Sequence, residues 1–325
     1  MRFSLPVILM LLCNLPLQAD LVRFFTGNVK DMTPRLHGPA LHLAGGGGDH
    51  REAMQWMIDE IRGCSDCETT IDVVVLRASG GDGYNQFFAK LQGVDSTETL
   101  IIRDRFSSYR KDVVTAVGNA ELIFFAGGDQ CNYVAFFNGT EVERAVRDVY
   151  RRGGGVGGTS AGMAIQGRVI YDACNDASAA SWRALQDPYN DEISFTYDFF
   201  DWPHMESIYT DTHFAQRDRM GRLVAFLARN IQDEPFSSVL GIGANEATSV
   251  VIDNAGRAIV LGRGPAYFVL ADHPPESLRP GGPLTFCEVK VWRVRTGESY
   301  DLKTRPTTGY YTLSVNDGRM MANPY

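Results

Sequence analysis

Residues 121–162 read ELIFFAGGDQ CNYVAFFNGT EVERAVRDVY RRGGGVGGTS AG, and the order of patterns within them decides the fold. Glu121–Ala126 is a short apolar run stopped by Gly127–Gly128, the mark of a buried strand. Asp129–Phe137 and Glu141–Arg152 then carry helical spacing, and Gly153–Gly162 crowds glycines around Ser160. The same alternation extends upstream. Ala40–Ala44 (ALHLA) breaks at Gly45–Gly48 before the amphipathic HREAMQWMIDEIR, and Ile71–Arg77 (IDVVVLR) ends at SGGDG before YNQFFAKL. Thr99–Ile102 reads as a short strand and Ser107–Val117 as a helix. Strands alternating with helices predict an α/β fold, a mostly parallel sheet with helices on both faces. In such sheets the active site lies beyond the carboxyl ends of the strands, where the glycine clusters fall.

After residue 171 the pattern loosens. Residues 171–210 include the acidic, aromatic YDFFDWP and show no clear period, which predicts an excursion over the surface. Phe214–Ile231 reads as a helix, followed by strands at Val239–Ile242, Ser249–Ile252 and Ala258–Leu261. The tail from Pro265 is rich in strands and turns, with FCEVKVWRV its clearest alternation. No internal repeat or low-complexity linker appears. The expected organisation is a signal peptide at 1–19, a catalytic domain at 20–262, and a β-rich extension at 263–325 packed on that same domain.

The signal-peptide reading rests on Arg2, the apolar Leu5–Leu17, which is too short to span a bilayer, and Ala19 as the last residue before cleavage. It predicts a periplasmic or secreted protein with no stable membrane anchor. The 325 residues carry 31 Lys+Arg against 39 Asp+Glu, a net charge of −8, which argues against a nucleic-acid partner. Hydrophobic residues make up 44%, enough for a sizeable core rather than a disordered chain. Cys64 and Cys67 form a C-x2-C pair in a polar turn. A zinc site needs a second ligand pair, and none with matching spacing exists, so a loop disulfide is expected. Cys131, Cys174 and Cys287 have no partner that sequence assigns. No cofactor or metal is called for, and a homodimer is compatible with the sequence.

Gly158-Thr159-Ser160-Ala161-Gly162 fits the G-x-S-x-G elbow, in which a serine sits on a tight strand-to-helix turn with its hydroxyl in the cleft. The N–H of Ala161, at a helix start, is then placed to bind an oxyanion. A phosphate-binding loop would need lysine where Thr159 stands, and GGGGDH stops short of a dinucleotide fingerprint. Among the six histidines, His213 stands out because Arg217, Arg219 and Arg222 follow it. Arg219 and Arg222, three apart, would share a helix face and could pair with a substrate carboxylate. Glu246, in a loop at a strand end, is the first candidate to orient the histidine, and Asp176 is the reserve. The order Ser160, His213, Glu246 differs from the nucleophile–acid–histidine order of α/β-hydrolases. That family would need Asp176 or Asp201 as its acid.

FFAGGDQ at 124–130, GGTSAGM at 157–163, DTHFAQRDRMGRL at 211–223 and GIGANEA at 241–247 together resemble the S51 serine peptidases, the group of cyanophycinase and the aspartyl dipeptidases. The arginine pattern after His213 is closer to cyanophycinase. The resemblance implies a class I glutamine amidotransferase-like, flavodoxin-like fold. It implies Ser160 as nucleophile, His213 as general base and Glu246 as its orienting acid. It further implies that N–H groups near Gly128 join Ala161 in an oxyanion hole, and that Gln130, Asp211, Arg217, Arg219 and Arg222 line a pocket for a peptide or for poly-aspartate bearing arginine branches. Cyanophycinases release β-Asp-Arg dipeptides without a metal. Thr212 stands where they usually carry glutamine, and Asn245 where aspartate is common, so other aspartyl or isoaspartyl peptides are the competing substrates. A relative that kept the elbow without catalysis is the remaining alternative.

Overall fold

A computed structural model describes residues 20–175 and 178–325; the expected signal peptide at 1–19 and the reserve acid Asp176 lie outside the described residues. The strand Leu122–Phe125 sits inside a nine-stranded sheet. Five strands at its centre, Val94–Ile102, Ile71–Arg77, Leu122–Phe125, Gly155–Thr159 and Ala40–Ala44 in spatial order, run parallel. Leu21–Gly27 closes one edge antiparallel. On the other side Thr248–Ile252, Arg257–Gly262 and Ser299–Asp301 follow, also antiparallel.

Both faces of the parallel centre are covered, which is why its strands are continuous apolar runs rather than alternating ones. Ile123 and Phe125 face one core with Val113 and Val117 of the helix Lys111–Asn119 and Val142, Val146 and Val149 of the helix Glu141–Arg151. Leu122 and Phe124 face the other, with Met54, Met57, Ile58 and Ile61 of the helix Arg51–Arg62. Thr140 caps the helix Glu141–Arg151 by accepting from the N–H of Glu143, satisfying a donor the first turn leaves open.

A second sheet of six strands is built from the looser half of the sequence. Its order is Arg319–Met320, Tyr311–Asn316, Phe286–Val294, Ala266–Ala271, Val239–Ala244 and Ile208–Asp211. Only the last pair is parallel. The helix Met220–Asp233 packs Leu223, Phe226 and Leu227 into a core with Val239, Val269, Phe286 and Val291. The tail does not stand apart from what precedes it. Ala266–Ala271 pairs with Val239–Ala244, and Ser299–Asp301 adds an edge to the nine-stranded sheet.

Two expectations are overturned here. The aromatics of 171–210 do not run over the surface: Phe199, Phe200 and Trp202 are buried, and Trp202 packs on Tyr150 and Phe200. Their burial follows from bulk, not from period, so no alternation marks it. The helix expected from Phe214 begins only at Met220, because His213 and Asp218 take φ values of 44° and 47°, incompatible with a continuing right-handed helix.

Candidate active site

Ser160 follows the strand Gly155–Thr159 and precedes the short helix Ala161–Ala164. Its backbone is held at φ 53°, ψ −117°, a conformation a side-chain-bearing residue adopts only under constraint. The constraint is steric and mutual. A Cβ on Gly158 would lie 2.4 Å from the carbonyl of Gly162, and one on Gly162 would lie 2.1 Å from the Phe125 oxygen. The glycines of the elbow therefore let the turn fold back on the sheet, and the serine is pushed outward.

His213 arrives from the second sheet, two residues beyond Asp211, the last residue of the strand Ile208–Asp211. Its Nε2 lies 2.9 Å from Ser160 Oγ, and its Nδ1 lies 2.6 Å from Glu246 Oε1. With the carboxylate accepting at Nδ1–H, Nε2 is left to accept from the serine hydroxyl. Burial pushes the His213 pKa below the usual histidine value; Glu246 opposes that shift, and Arg217 and Arg219 reinforce it. The imidazole is thus neutral at neutral pH and able to take a proton. Glu246 sits on the crossover between the two sheets, in the turn from Val239–Ala244 to Thr248–Ile252. Its N–H donates to the Gln216 side chain at 3.0 Å.

Gly45–Gly48 has a role that sequence did not assign. The Gly45 carbonyl accepts from His213 N–H at 2.7 Å, and the Gly46 carbonyl accepts from Ala247 N–H at 2.8 Å. Gly46, at φ 92°, would place a Cβ 2.5 Å from the imidazole. Bare backbone thus brings His213 and Glu246 together. The glycine run at the end of Ala40–Ala44 was the available signal, but nothing in it names the partner it clasps.

The residues expected to line a substrate pocket separate into three groups. Arg222, buried, donates from Nε and a terminal nitrogen to the two oxygens of buried Asp211, at 2.8 and 2.5 Å. Arg219, also buried, donates to the Thr212 carbonyl at 2.8 Å and its hydroxyl at 3.0 Å, and burial drops its pKa to about 10. The expected open helix face shared by Arg219 and Arg222 is therefore corrected: Arg219 precedes the helix, and both arginines turn inward. Arg217 alone of the three is exposed. On the nucleophile side, a Cβ on Gly127 would touch Ser160 Cβ at 3.5 Å; exposed Gly128 and half-buried Gln130 follow. Ala161 N–H stands at the start of the short helix. Among the described residues no cluster of three His, Cys, Asp or Glu side chains could hold a metal.

This arrangement can deprotonate a hydroxyl and deliver it to a carbonyl. Comparison with known proteins points the same way. No family model matches the chain. It is 27% identical over 237 residues to a cyanophycinase of Geminocystis herdmanii, covering 70% of this chain and 80% of that protein. It is 26% identical over 230 residues to a cyanophycinase of Nostoc sp., covering 69% and 71%. The chain is a peptidase homologous to the cyanophycinases. Its fold is that of a crystallised peptidase from an acI-B1 actinobacterium, with a TM-score of 0.55 at 18% identity, covering 82% of this chain and 98% of that one. In this peptidase, cysteine pairing escaped sequence reasoning in part. Cys64 bonds Cys67 as expected, but Cys131 bonds Cys174 across 43 residues, a pairing no local spacing encodes.

Proposed function

We propose that the chain is an exported serine peptidase that hydrolyses cyanophycin, poly-aspartate with arginine branches, to β-Asp-Arg dipeptides. The observation that carries this reading is the unbroken hydrogen-bond chain from Ser160 Oγ through His213 to Glu246, mounted on a strained elbow. Ser160 attacks the carbonyl while His213 Nε2 takes its proton, and the N–H groups of Ala161 and Gly128 receive the developing oxyanion. His213 returns the proton to the leaving amine, forming an acyl-serine. Water, deprotonated by the same imidazole, then releases the acid and restores the serine. Glu246 holds the ring in the tautomer this requires. Exposed Arg217 and half-buried Gln130 are the groups left to meet substrate, while Arg222 and Asp211 brace the pocket wall. Export is supported by residues 1–19 as a sequence pattern and by two disulfides, which persist in oxidising compartments.

A second reading, hydrolysis of other aspartyl or isoaspartyl peptides, draws on one observation. Thr212 spends its hydroxyl and carbonyl on Arg219 and presents no amide to a ligand. The test is a parallel assay of cyanophycin, isoaspartyl peptides and α-aspartyl peptides with wild type and Ser160→Ala. Cyanophycin cleavage that falls by about 10⁴-fold or more in the variant supports the main reading. Cleavage of only the short peptides transfers it to the second, and wild-type cleavage that survives Ser160→Ala removes both.

A further inference from the structure

The two disulfides lie at opposite ends of the parallel strands. Cys64–Cys67 closes the turn after the helix Arg51–Arg62, before the strand Ile71–Arg77 begins. Cys131–Cys174 lies where the strands finish. Cys131 is in the first turn of the helix Gln130–Phe137, three residues after Gly128 in the loop that lies against Ser160. Cys174 follows the strand Val169–Tyr171 and leads to Ser178 and Ala179. The Ser178 hydroxyl accepts from Arg222 at 2.9 Å, and the Ala179 carbonyl from the same nitrogen at 3.4 Å. Arg222 in turn holds Asp211, two residues before His213.

Each arm is also fixed locally. Asp129 accepts from the Cys131 N–H at 2.9 Å, and Asp172 accepts from the Cys174 N–H at 3.1 Å. Those bonds shape the two loops but do not join them. The disulfide does: it ties the glycine loop beside the nucleophile to the segment that braces the histidine side.

We infer that Cys131–Cys174 is a positioning bond for the substrate pocket, setting the separation of its two walls without taking part in the chemistry. The inference rests on the peptidase reading of the Ser160 site. Opening the bond takes two electrons and two protons from a dithiol, which leaves as its own disulfide, and yields two thiols. The two walls then move independently, while the contacts of Ser160, His213 and Glu246 stay intact. Substrate capture suffers and turnover of captured substrate does not.

The test measures kcat and KM for wild type, the C64S/C67S variant and the C131S/C174S variant, each with and without dithiothreitol, on the best substrate found above. The expected result is a KM raised about tenfold by reductant in wild type and C64S/C67S, with kcat within about twofold. C131S/C174S carries the raised KM already and ignores reductant. A wild-type KM in C131S/C174S, or a reductant effect that disappears with C64S/C67S, overturns the inference. Amide hydrogen exchange of oxidised and reduced wild type gives a second readout that needs no activity. Faster exchange after reduction around both Gly128–Cys131 and Asp172–Asn175 supports the tie, and unchanged exchange refutes it even if the enzyme proves inactive on every peptide, which would refute only the peptidase reading.

Discussion

The two sheets contribute to the active site in different ways. The nine-stranded sheet delivers Ser160 within a single local unit, strand, elbow and helix, whose glycines and serine are contiguous in sequence. The six-stranded sheet delivers His213 from an irregular turn and Glu246 from a crossover, 33 residues apart, and aligns them by pairing Ile208–Asp211 with Val239–Ala244 and by the clasp of the Gly45 and Gly46 carbonyls. The first contribution is local and stores strain. The second is long-range and depends on buried polar contacts. A site assembled this way should fail differently according to which side is disturbed.

The largest effect is expected at the meeting point. Glu246→Gln keeps the shape but removes the charge that fixes the His213 tautomer, so kcat should fall by about 10³- to 10⁴-fold, read by steady-state kinetics with folding checked by circular dichroism. Asp211→Asn breaks the second-sheet side alone. It leaves Arg222 buried without its counter-charge and should cost about 3–5 kcal/mol, measured by urea denaturation. Retained stability in that variant would show that the ion pair does not hold the histidine wall.

Gly46→Ala disturbs the clasp between the two contributions. A methyl 2.5 Å from the imidazole must displace the ring, and a misplacement of this kind lowers kcat by about 100-fold. An active variant would mean that the glycine loop yields more easily than its hydrogen bonds imply.

A control lies at the far end of the first sheet. There Glu121 accepts from the Asp72 N–H, and burial lifts its pKa to about 7. A carboxyl raised in this way is protonated more readily folded than unfolded, so it lowers stability as pH rises from about 4.5 to 7. Glu121→Gln should remove that slope, a gain of about 1–2 kcal/mol at pH 8, and leave kcat unchanged. Smallest of all is the shift in the wild-type pH profile. Because burial lowers the His213 pKa, the base form persists to lower pH, and kcat/KM should fall on the acid side below 6.5. Since Glu246 raises that pKa, Glu246→Gln should move the residual activity's acid limb further down; an upward shift would contradict the geometry.

Much of this is legible in the sequence. The parallel centre could be read from IDVVVLR and ELIFFA because strands buried on both faces must be apolar throughout. The elbow could be read from Gly158 and Gly162, since each faces backbone at a distance no side chain tolerates. The elbow pattern singles out Ser160, the arginines that follow single out His213, and Glu246 is a loop carboxylate at a strand end; the structure brings the three together. The direction of Arg219 and Arg222 was misread because three-residue spacing describes a helix face only once the helix has begun, and it begins at Met220. Phe199, Phe200 and Trp202 were misplaced because large aromatics enter a core wherever volume is open, with or without a period.

By itself, the sequence determined the local geometry: that the apolar runs Ala40–Ala44, Ile71–Arg77 and Glu121–Ala126 are strands, where the chain must turn sharply, and which hydroxyl the turn exposes. Such features depend on atoms within a few residues, whose sterics are fixed by residue type. The tertiary structure alone decided which carboxylate stands behind the imidazole, which arginines are spent on internal partners, and that Cys131 meets Cys174. His213 and Glu246 are 33 residues apart and the two cysteines 43, while Arg219 and Arg222 reach back 7 and 11 residues across the break before their helix; in each case the distance is set by how the folded segments pack, not by spacing along the chain.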